Sequence, residues 1–330
     1  MNKTNGIRIE GEVSQAEDFL REWFNGKDYV IAYTSGSTGI PKEIRLLKSD
    51  MIRSAKATCD FFDISERSTM LCPLSTEYIA GKMMVVRAMV SGSKLIIKTP
   101  SSRFTEIIEE NIDLLPIVPS QINGLLEWSC VNRVRNIIVG GGPVPNSQRQ
   151  KLIDAPFQSF ITYGMTETCS HVALAPIKDE EPVFRALRGI TFETDDRKCL
   201  VINAPEYTFK RLVVNDVVEL IDDVSFVWKG RYDNVIISGG LKFFPENIEK
   251  EIEHAIERFK EITGYYIVGE PSEKWGEEVV LVIEAPTGFQ IKRLIEEIEK
   301  EMPDRRKVPK RIIIKNSFDR TPTGKILRKL

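Results

Sequence analysis

Short β-rich runs separated by helix-length amphipathic stretches fill the first two-thirds of this 330-residue chain. Tyr29-Val30-Ile31-Ala32-Tyr33, Lys94-Leu95-Ile96-Ile97 and Arg135-Asn136-Ile137-Ile138-Val139 are dominated by β-branched and aromatic side chains and read as strands. Ser49 to Phe62 and Ile79 to Val90 read as helices between them. Strands alternating with helices in this way predict a layered α/β domain. From Ala186 to Trp228 the texture changes. Runs such as Cys199-Leu200-Val201-Ile202 and Asp216-Val217-Val218-Glu219-Leu220 lie between turn residues and predict antiparallel β structure.

Beyond the polar junction Gly230-Arg231-Tyr232-Asp233-Asn234 the pattern restarts. Pro245-Glu246 suits a helix first turn, where a missing N–H costs nothing and an acidic side chain favours the dipole. Ile248, Ile252, Ala255, Ile256, Phe259 and Ile262 recur at helical spacing. Strands over Tyr265 to Val268 and Glu278 to Ile283, a helix over Ile291 to Met302 and a strand over Arg311 to Ile314 follow. At roughly 150 residues per domain the length has room for about two. The expected fold is therefore a large N-terminal α/β domain of layered sheets, residues 1–232, and a small C-terminal α+β domain, residues 233–330.

Composition removes several function classes. Lys plus Arg is 46 and Asp plus Glu 48, a formal net charge of −2, and no basic stripe carries interleaved aromatics. A nucleic-acid binder is not expected. The five cysteines, Cys59, Cys72, Cys130, Cys169 and Cys199, form no CxxC pair, and His171 and His254 have no metal-site spacing. Neither a disulfide framework nor a zinc site is indicated, and a Ser-His-Asp triad is not suggested. The N-terminal segment lacks an apolar core, and the longest apolar stretch, Met83 to Val90, is broken by Arg87. No membrane insertion is expected, and scattered thiols fit a cytoplasmic protein.

Thr34-Ser35-Gly36-Ser37-Thr38-Gly39-Ile40-Pro41-Lys42 follows directly on the strand ending at Tyr33. Glycines for a tight turn, several hydroxyl donors and a lysine suit a loop that wraps phosphates. The spacing is not that of a Walker A loop, and alone the run reads equally well as a surface turn. Three more segments change the balance. With Tyr163-Gly164-Met165-Thr166-Glu167, the junction Gly230-Arg231-Tyr232-Asp233 with Ile236 and Gly239-Gly240, and Thr321-Pro322-Thr323-Gly324-Lys325-Ile326-Leu327-Arg328, the chain resembles the AMP-forming acyl-/aryl-CoA synthetase and adenylation-domain superfamily. All four motifs occur in that family's order, from Tyr33 to Arg328. Tyr78 to Ala88, Gly140 to Pro145 and Tyr163 to Leu174 look most like the 2-succinylbenzoate–CoA ligases of menaquinone synthesis.

The resemblance implies that a carboxylate attacks the α-phosphate of ATP to give an acyl-AMP, and that coenzyme A then takes the acyl group as a thioester. It implies that Thr34, Ser35, Gly36, Ser37, Thr38 and Gly39 cradle the β- and γ-phosphates, with Lys42 adding charge. Thr166 is implied at the α-phosphate and Glu167 at Mg²⁺; alone, Glu167 also reads as a helix-start carboxylate. Tyr163 and Gly164 are implied at adenine, opposite Gly141-Gly142-Pro143, and Asp216 at the ribose hydroxyls. Asp216 lacks the Thr-Gly that precedes it in the family. Arg231 is implied at ribose or phosphate, against the plainer reading of a junction salt bridge. Lys325 is implied to swing into the site during adenylation, Asp233 to be the hinge of the rotating small domain, and Gly239-Gly240 to line the path of CoA.

The acyl pocket is less defined. Tyr78 stands near the family's aromatic gate, and Gln121, Ser170 and His171 fall in segments near the same pocket, although each also reads as an ordinary structural residue. A second substrate carboxylate needs a partner; Lys82 and Arg87 are candidates, and both also suit solvent-facing positions. Only 32 residues precede Tyr33, fewer than is usual in the family, so an N-terminal subdomain is expected to be shortened and a homodimer could cover the exposed surface. Another aryl- or fatty-acyl-CoA ligase, a carrier-loading adenylation enzyme and a non-catalytic nucleotide-binding regulator remain as alternatives.

Overall fold

The computed structural model describes residues 7–33, 42–178, 181–321 and 326–328. The first layer contains β1 (Ile9–Gly11), α1 (Ser14–Trp23), β2 (Tyr29–Tyr33), β3 (Glu43–Leu47), α2 (Lys48–Phe62), β4 (Thr69–Cys72), α3 (Ile79–Ser91) and β5 (Lys94–Ile97). Strands β1, β5 and β4 form a parallel sheet in that order, while β2 and β3 pair antiparallel, with Tyr33 opposite Glu43. Helix α3 is apolar almost all round, so it is buried between α2 and the strands, with Met83, Met84, Val85 and Val86 excluded from solvent. Asp63 and Gly92, both left-handed, end α2 and α3.

The second layer contains β6 (Leu115–Ile117), α4 (Ile122–Leu126), β7 (Asn136–Val139), α5 (Asn146–Ile153), β8 (Gln158–Met165), β9 (Ser170–Pro176), β10 (Val183–Ala186), β11 (Thr191–Thr194), β12 (Cys199–Ala204), β13 (Lys210–Asp222) and β14 (Ser225–Arg231). They form one sheet in the order β11-β12-β13-β14-β10-β9-β8-β7-β6. Only β6, β7 and β8 run parallel, and β6 and β7 are buried along their whole length, as strands covered on both faces are. The antiparallel region predicted from Ala186 to Trp228 holds β11 to β14, and in the fold it extends earlier, to include β10, and runs on to Arg231.

The remaining elements are β15 (Ile236–Ser238), β16 (Leu241–Phe243), α6 (Pro245–Glu257), β17 (Gly264–Ser272), β18 (Gly276–Glu284), α7 (Ile291–Glu301) and β19 (Arg311–Lys315). The sheet order is β16-β15-β18-β17, and β19 adds parallel to β18 after the α7 crossover. Ile248, Ile252, Ala255 and Ile256 of α6 pack with Leu294 and Ile298 of α7 in one core. The expected helical face runs too far: α6 stops at Glu257, and Phe259 and Ile262 reach this core from the turn beyond it. The chain passes from the nine-stranded sheet to this one through a single helical turn, Tyr232–Asn234. Among the described residues no helix is long and apolar enough to cross a membrane, and all five thiols are buried and free.

Candidate active site

The parallel register (Ile117 opposite Val139, Val139 opposite Ile161) brings the carboxyl ends of β6, β7 and β8 to one edge, where ligands bind in sheets of this kind. Three segments meet there: Val118-Pro119, Gly140 to Pro143, and Tyr163 to Thr166. A Cβ on Gly140 would lie 2.7 Å from Thr162 Oγ1, and Gly141, at φ +84°, faces Val118. Gly164 is more constrained, because a Cβ there would lie 2.2 Å from the Ser170 carbonyl oxygen and 2.5 Å from His171 Cα. Glycine alone lets β9 fold back closely on β8 at the register shift beside Tyr163.

Past β8 the chain makes a short helical turn, Thr166–Thr168. Thr168 fixes it: its hydroxyl accepts the Met165 N–H (3.0 Å) and donates to the Ser170 carbonyl (2.6 Å). Glu167 is exposed on this turn, with no hydrogen bond or ion pair to a described residue. Strand β3 lies against the same turn. The β2–β3 pairing ends at Tyr33–Glu43, so Tyr33 and Lys42 flank residues 34–41 at that end of the ladder. Lys42 is exposed there. Thr34, Ser35, Gly36, Ser37, Thr38 and Gly39 lie outside the described residues, as does Lys325.

Three of the predicted residues are joined directly. The Tyr163 hydroxyl donates to Asp216 Oδ2 (2.8 Å), and Arg231 Nε stands 3.8 Å from Asp216 Oδ1. The Tyr163 ring packs edge-on against Phe226 and Phe184. Burial, and then the Asp216 charge, hold the Tyr163 hydroxyl well above the ordinary phenol range, so it stays a donor. Trp228, which sequence reasoning missed, donates its indole N–H to Asp216 Oδ1 (3.0 Å). The strand alternation Phe226-Val227-Trp228 was the available signal, since it points both aromatics to one face. Asp216 is buried yet keeps unused lone pairs, because a carboxylate has about four acceptor sites. Arg231 also reaches Asp233 (3.2 Å), which accepts two further bonds from the Asn215 amide (3.1 and 3.2 Å). The junction salt bridge is thus present, and its Arg231 borders the Tyr163–Asp216 pair.

The acyl-pocket candidates separate. Neither Lys82 nor Arg87 faces solvent. Lys82 is paired with Glu22 (3.5 Å) and stands over the Phe19 ring, so its charge is already satisfied. Gln121 spends its amide on the backbone, accepting from Val118 (3.1 Å) and donating to Pro73 (3.1 Å) and Ser101 (2.8 Å); it braces two loops. Tyr78 is half-buried at the start of α3. His171 is buried, with Nε2 3.1 Å from Thr58 Oγ1 and Nδ1 3.4 Å from Ser170 Oγ. Burial, helped by Arg87, holds it well below the usual imidazole range and therefore neutral. Arg87 itself is 1% exposed. It donates to Ser170 Oγ (3.2 Å) and faces Met84 Sδ (3.3 Å), while its Nε has no partner among the described residues. No described carboxylate pairs with it, and burial pulls it down to about 10. Arg87, Ser170 and His171 form a polar cluster with a cation to spare.

The family described as AMP-binding enzyme matches residues 7–192, and the AMP-binding enzyme C-terminal domain matches residues 251–325. The 2-succinylbenzoate–CoA ligase of Listeria monocytogenes serovar 1/2a is 27% identical over 94% of this chain and 71% of its own length. A long-chain-fatty-acid–CoA ligase of Mycobacterium tuberculosis, FadD13, is 25% identical over 90% of this chain and 66% of its own. Among solved structures, an acyl-CoA synthetase (AMP-forming)/AMP-acid ligase II-like protein from Dyadobacter fermentans is 32% identical, with TM-score 0.61 over 96% of this chain and 92% of that one. The o-succinylbenzoate CoA synthetase of Bacillus subtilis in complex with its acyl-adenylate shares the fold, with TM-score 0.76 at 20% identity over 90% of this chain and 67% of that one.

Proposed function

Because the chain belongs to the AMP-binding enzyme family, as an AMP-forming acyl- or aryl-CoA ligase, we propose that its acid is 2-succinylbenzoate, joined to CoA as in menaquinone biosynthesis. One observation carries the choice of acid. Arg87 is a buried guanidinium without a carboxylate among the described residues, and it is flanked by Ser170 and neutral His171. A buried cation without a counter-ion is costly, so the arrangement suits a ligand that brings an anion with it. 2-Succinylbenzoate carries two carboxylates: one reacts, and Arg87 holds the other. Lys82 does not serve this purpose, since Glu22 already neutralises it.

In the first half-reaction the free carboxylate attacks the α-phosphorus, the bond to the bridging oxygen breaks and pyrophosphate leaves. The nucleophile is already ionised, so the protein's task is to bring anions together and stabilise phosphoryl charge. Thr166 donates to the α-phosphate, residues 34–39 with Lys42 take the β- and γ-phosphates, and Lys325 bridges carboxylate and α-phosphate. Tyr163 and Gly164 flank the adenine across from Gly141, Gly142 and Pro143, and the remaining lone pairs of Asp216 accept from the ribose hydroxyls. Glu167 suits Mg²⁺, which takes one or two carboxylates and completes its shell with phosphates and waters. Bound there, the ion would neutralise phosphate charge. In the second half-reaction the CoA sulfur attacks the acyl carbon and AMP leaves, after residues 233–330 rotate about Asp233 and Gly239-Gly240 come to line the CoA path. The passage between sheets at Tyr232–Asn234 supports that hinge.

ATP–pyrophosphate exchange with 2-succinylbenzoate, benzoate and octanoate tests the choice of acid. The expected kcat/KM is at least about tenfold higher with 2-succinylbenzoate than with either other acid. Faster exchange with octanoate or benzoate would overturn the substrate and leave the ligase class standing.

A further inference from the structure

Arg328, the last residue of the C-terminal motif, has no part in the chemistry above, yet it is not left in solvent. Near the end of the chain Arg320 bridges to Ile326 in antiparallel fashion, and the Leu327 N–H donates to the Asp319 carbonyl (2.8 Å). Asp319-Arg320 and Ile326-Leu327 therefore lie side by side as two legs, and in the sequence Lys325 comes immediately before the second. The incoming leg is tied by Arg320 to Glu284, whose carboxylate also accepts from the Phe318 N–H (2.7 Å) and the Thr263 hydroxyl (2.8 Å). The outgoing leg is tied by Arg328, which donates to Glu249 Oε2 (2.8 Å) and stands 3.8 Å from Glu246 Oε1. Glu249 is anchored in turn, its Oε1 accepting the Ile267 N–H from β17 (2.7 Å). Glu246 Oε1 accepts from the Asn234 amide (2.6 Å), one residue past Asp233.

We propose that Glu246, Glu249 and Arg328 are positioning residues: an ionic clasp that aims the lysine-bearing end of the chain for adenylation and links it to the turn at Asn234. The inference rests on the reading of Lys325 given above. Two carboxylates sharing one guanidinium on a largely buried helix face is an unusual expense for a tail that does nothing. Gly230 belongs to the same construction, because a Cβ there would lie 2.9 Å from Glu246 Oε2 and 2.8 Å from Phe244 Cδ1. The clasp also responds to pH. Burial pushes the Glu249 carboxyl up to about 7 against the opposing pull of Arg328 and the Ile267 N–H, with Glu246 adding to the rise. The Tyr265 hydroxyl, which faces the same turn, donates to the Glu249 backbone carbonyl (3.2 Å) and leaves the carboxylate alone. Above that pH Glu249 is charged and holds Arg328; below it the carboxyl takes a proton and the contact on Oε2 weakens.

The test compares E249Q, R328A and K325A in both half-reactions: ATP–pyrophosphate exchange with 2-succinylbenzoate, and thioester formation from supplied 2-succinylbenzoyl-adenylate and CoA. E249Q and R328A are expected to lower the exchange kcat about tenfold or more with the KM for ATP within about threefold, and to leave thioester formation within about threefold. The parent enzyme's exchange rate is expected to fall below about pH 7 and that of E249Q to stay level across the same range. Trypsin is expected to cut after Lys325 faster in E249Q than in the parent, a readout that needs no activity. Parental exchange and parental cleavage in E249Q, or equal loss of both half-reactions, would overturn the clasp. If K325A keeps exchange, the reading of Lys325 fails and the clasp with it; if K325A loses exchange while E249Q and R328A do not, the clasp alone fails.

Discussion

At Arg87 stability and the proposed role in binding the acid pull in opposite directions. A buried guanidinium whose Nε lacks a partner costs the fold, and replacing it with an apolar side chain of similar length relieves that cost. Arg87→Met is therefore expected to stabilise the protein by about 1 kcal/mol or more in urea denaturation. The same variant is expected to lose about tenfold or more in kcat/KM for exchange with 2-succinylbenzoate while exchange with benzoate changes little. A destabilised variant, or one that loses both acids equally, would show that Arg87 is a packing residue. The sequence places Lys82 and Arg87 on one helix but does not tell which cation is already neutralised, because the partner of Lys82 is Glu22 on α1, a contact made only by tertiary folding. His171 and Ser170 were legible as neighbours of the Tyr163–Glu167 turn; their bonds to Thr58 and Arg87 were not.

Individual elements were legible where local chemistry decides them. The strand at Tyr29–Tyr33, the helix opening at Pro245 and the β-rich segment from Ala186 to Trp228 follow from side-chain branching, a proline in a first turn and period-two alternation. The end of α6 was not, since Phe259 and Ile262 keep the helical spacing after the helix has stopped and fill the same core from a turn. Gly164 offers a test at this scale. Its missing side chain allows β9 to approach β8 at the point where the chain turns into Thr166 and Glu167. Gly164→Ala is expected to destabilise the fold by about 1–3 kcal/mol in urea denaturation, as overpacking does, and to lower the exchange rate by displacing that turn. A change below about 0.5 kcal/mol with full exchange would mean that the strands separate easily and that this close approach does not set the turn.

Over the whole molecule, the sequence made the order of four motifs visible and left the meeting of Tyr163, Asp216 and Arg231 to the fold. Tyr163 lies on β8 and Asp216 on β13, with β9, β10 and β14 between them in the sheet, yet their side chains bond at 2.8 Å. No local pattern predicts that closure, which depends on how far the antiparallel half curls and on Phe184 and Phe226 filling the concave face. Trp228, the second donor to Asp216, escaped notice for the same reason. The central claim is that one nucleotide spans these pieces: adenine at Tyr163, ribose at Asp216, α-phosphate at Thr166 and the outer phosphates at residues 34–39. A crystal soaked with ATP and magnesium tests it directly. The account predicts density running from Tyr163 past Thr166 to residues 34–39, with the ion at Glu167; nucleotide bound elsewhere while those residues stay free of phosphate would contradict it.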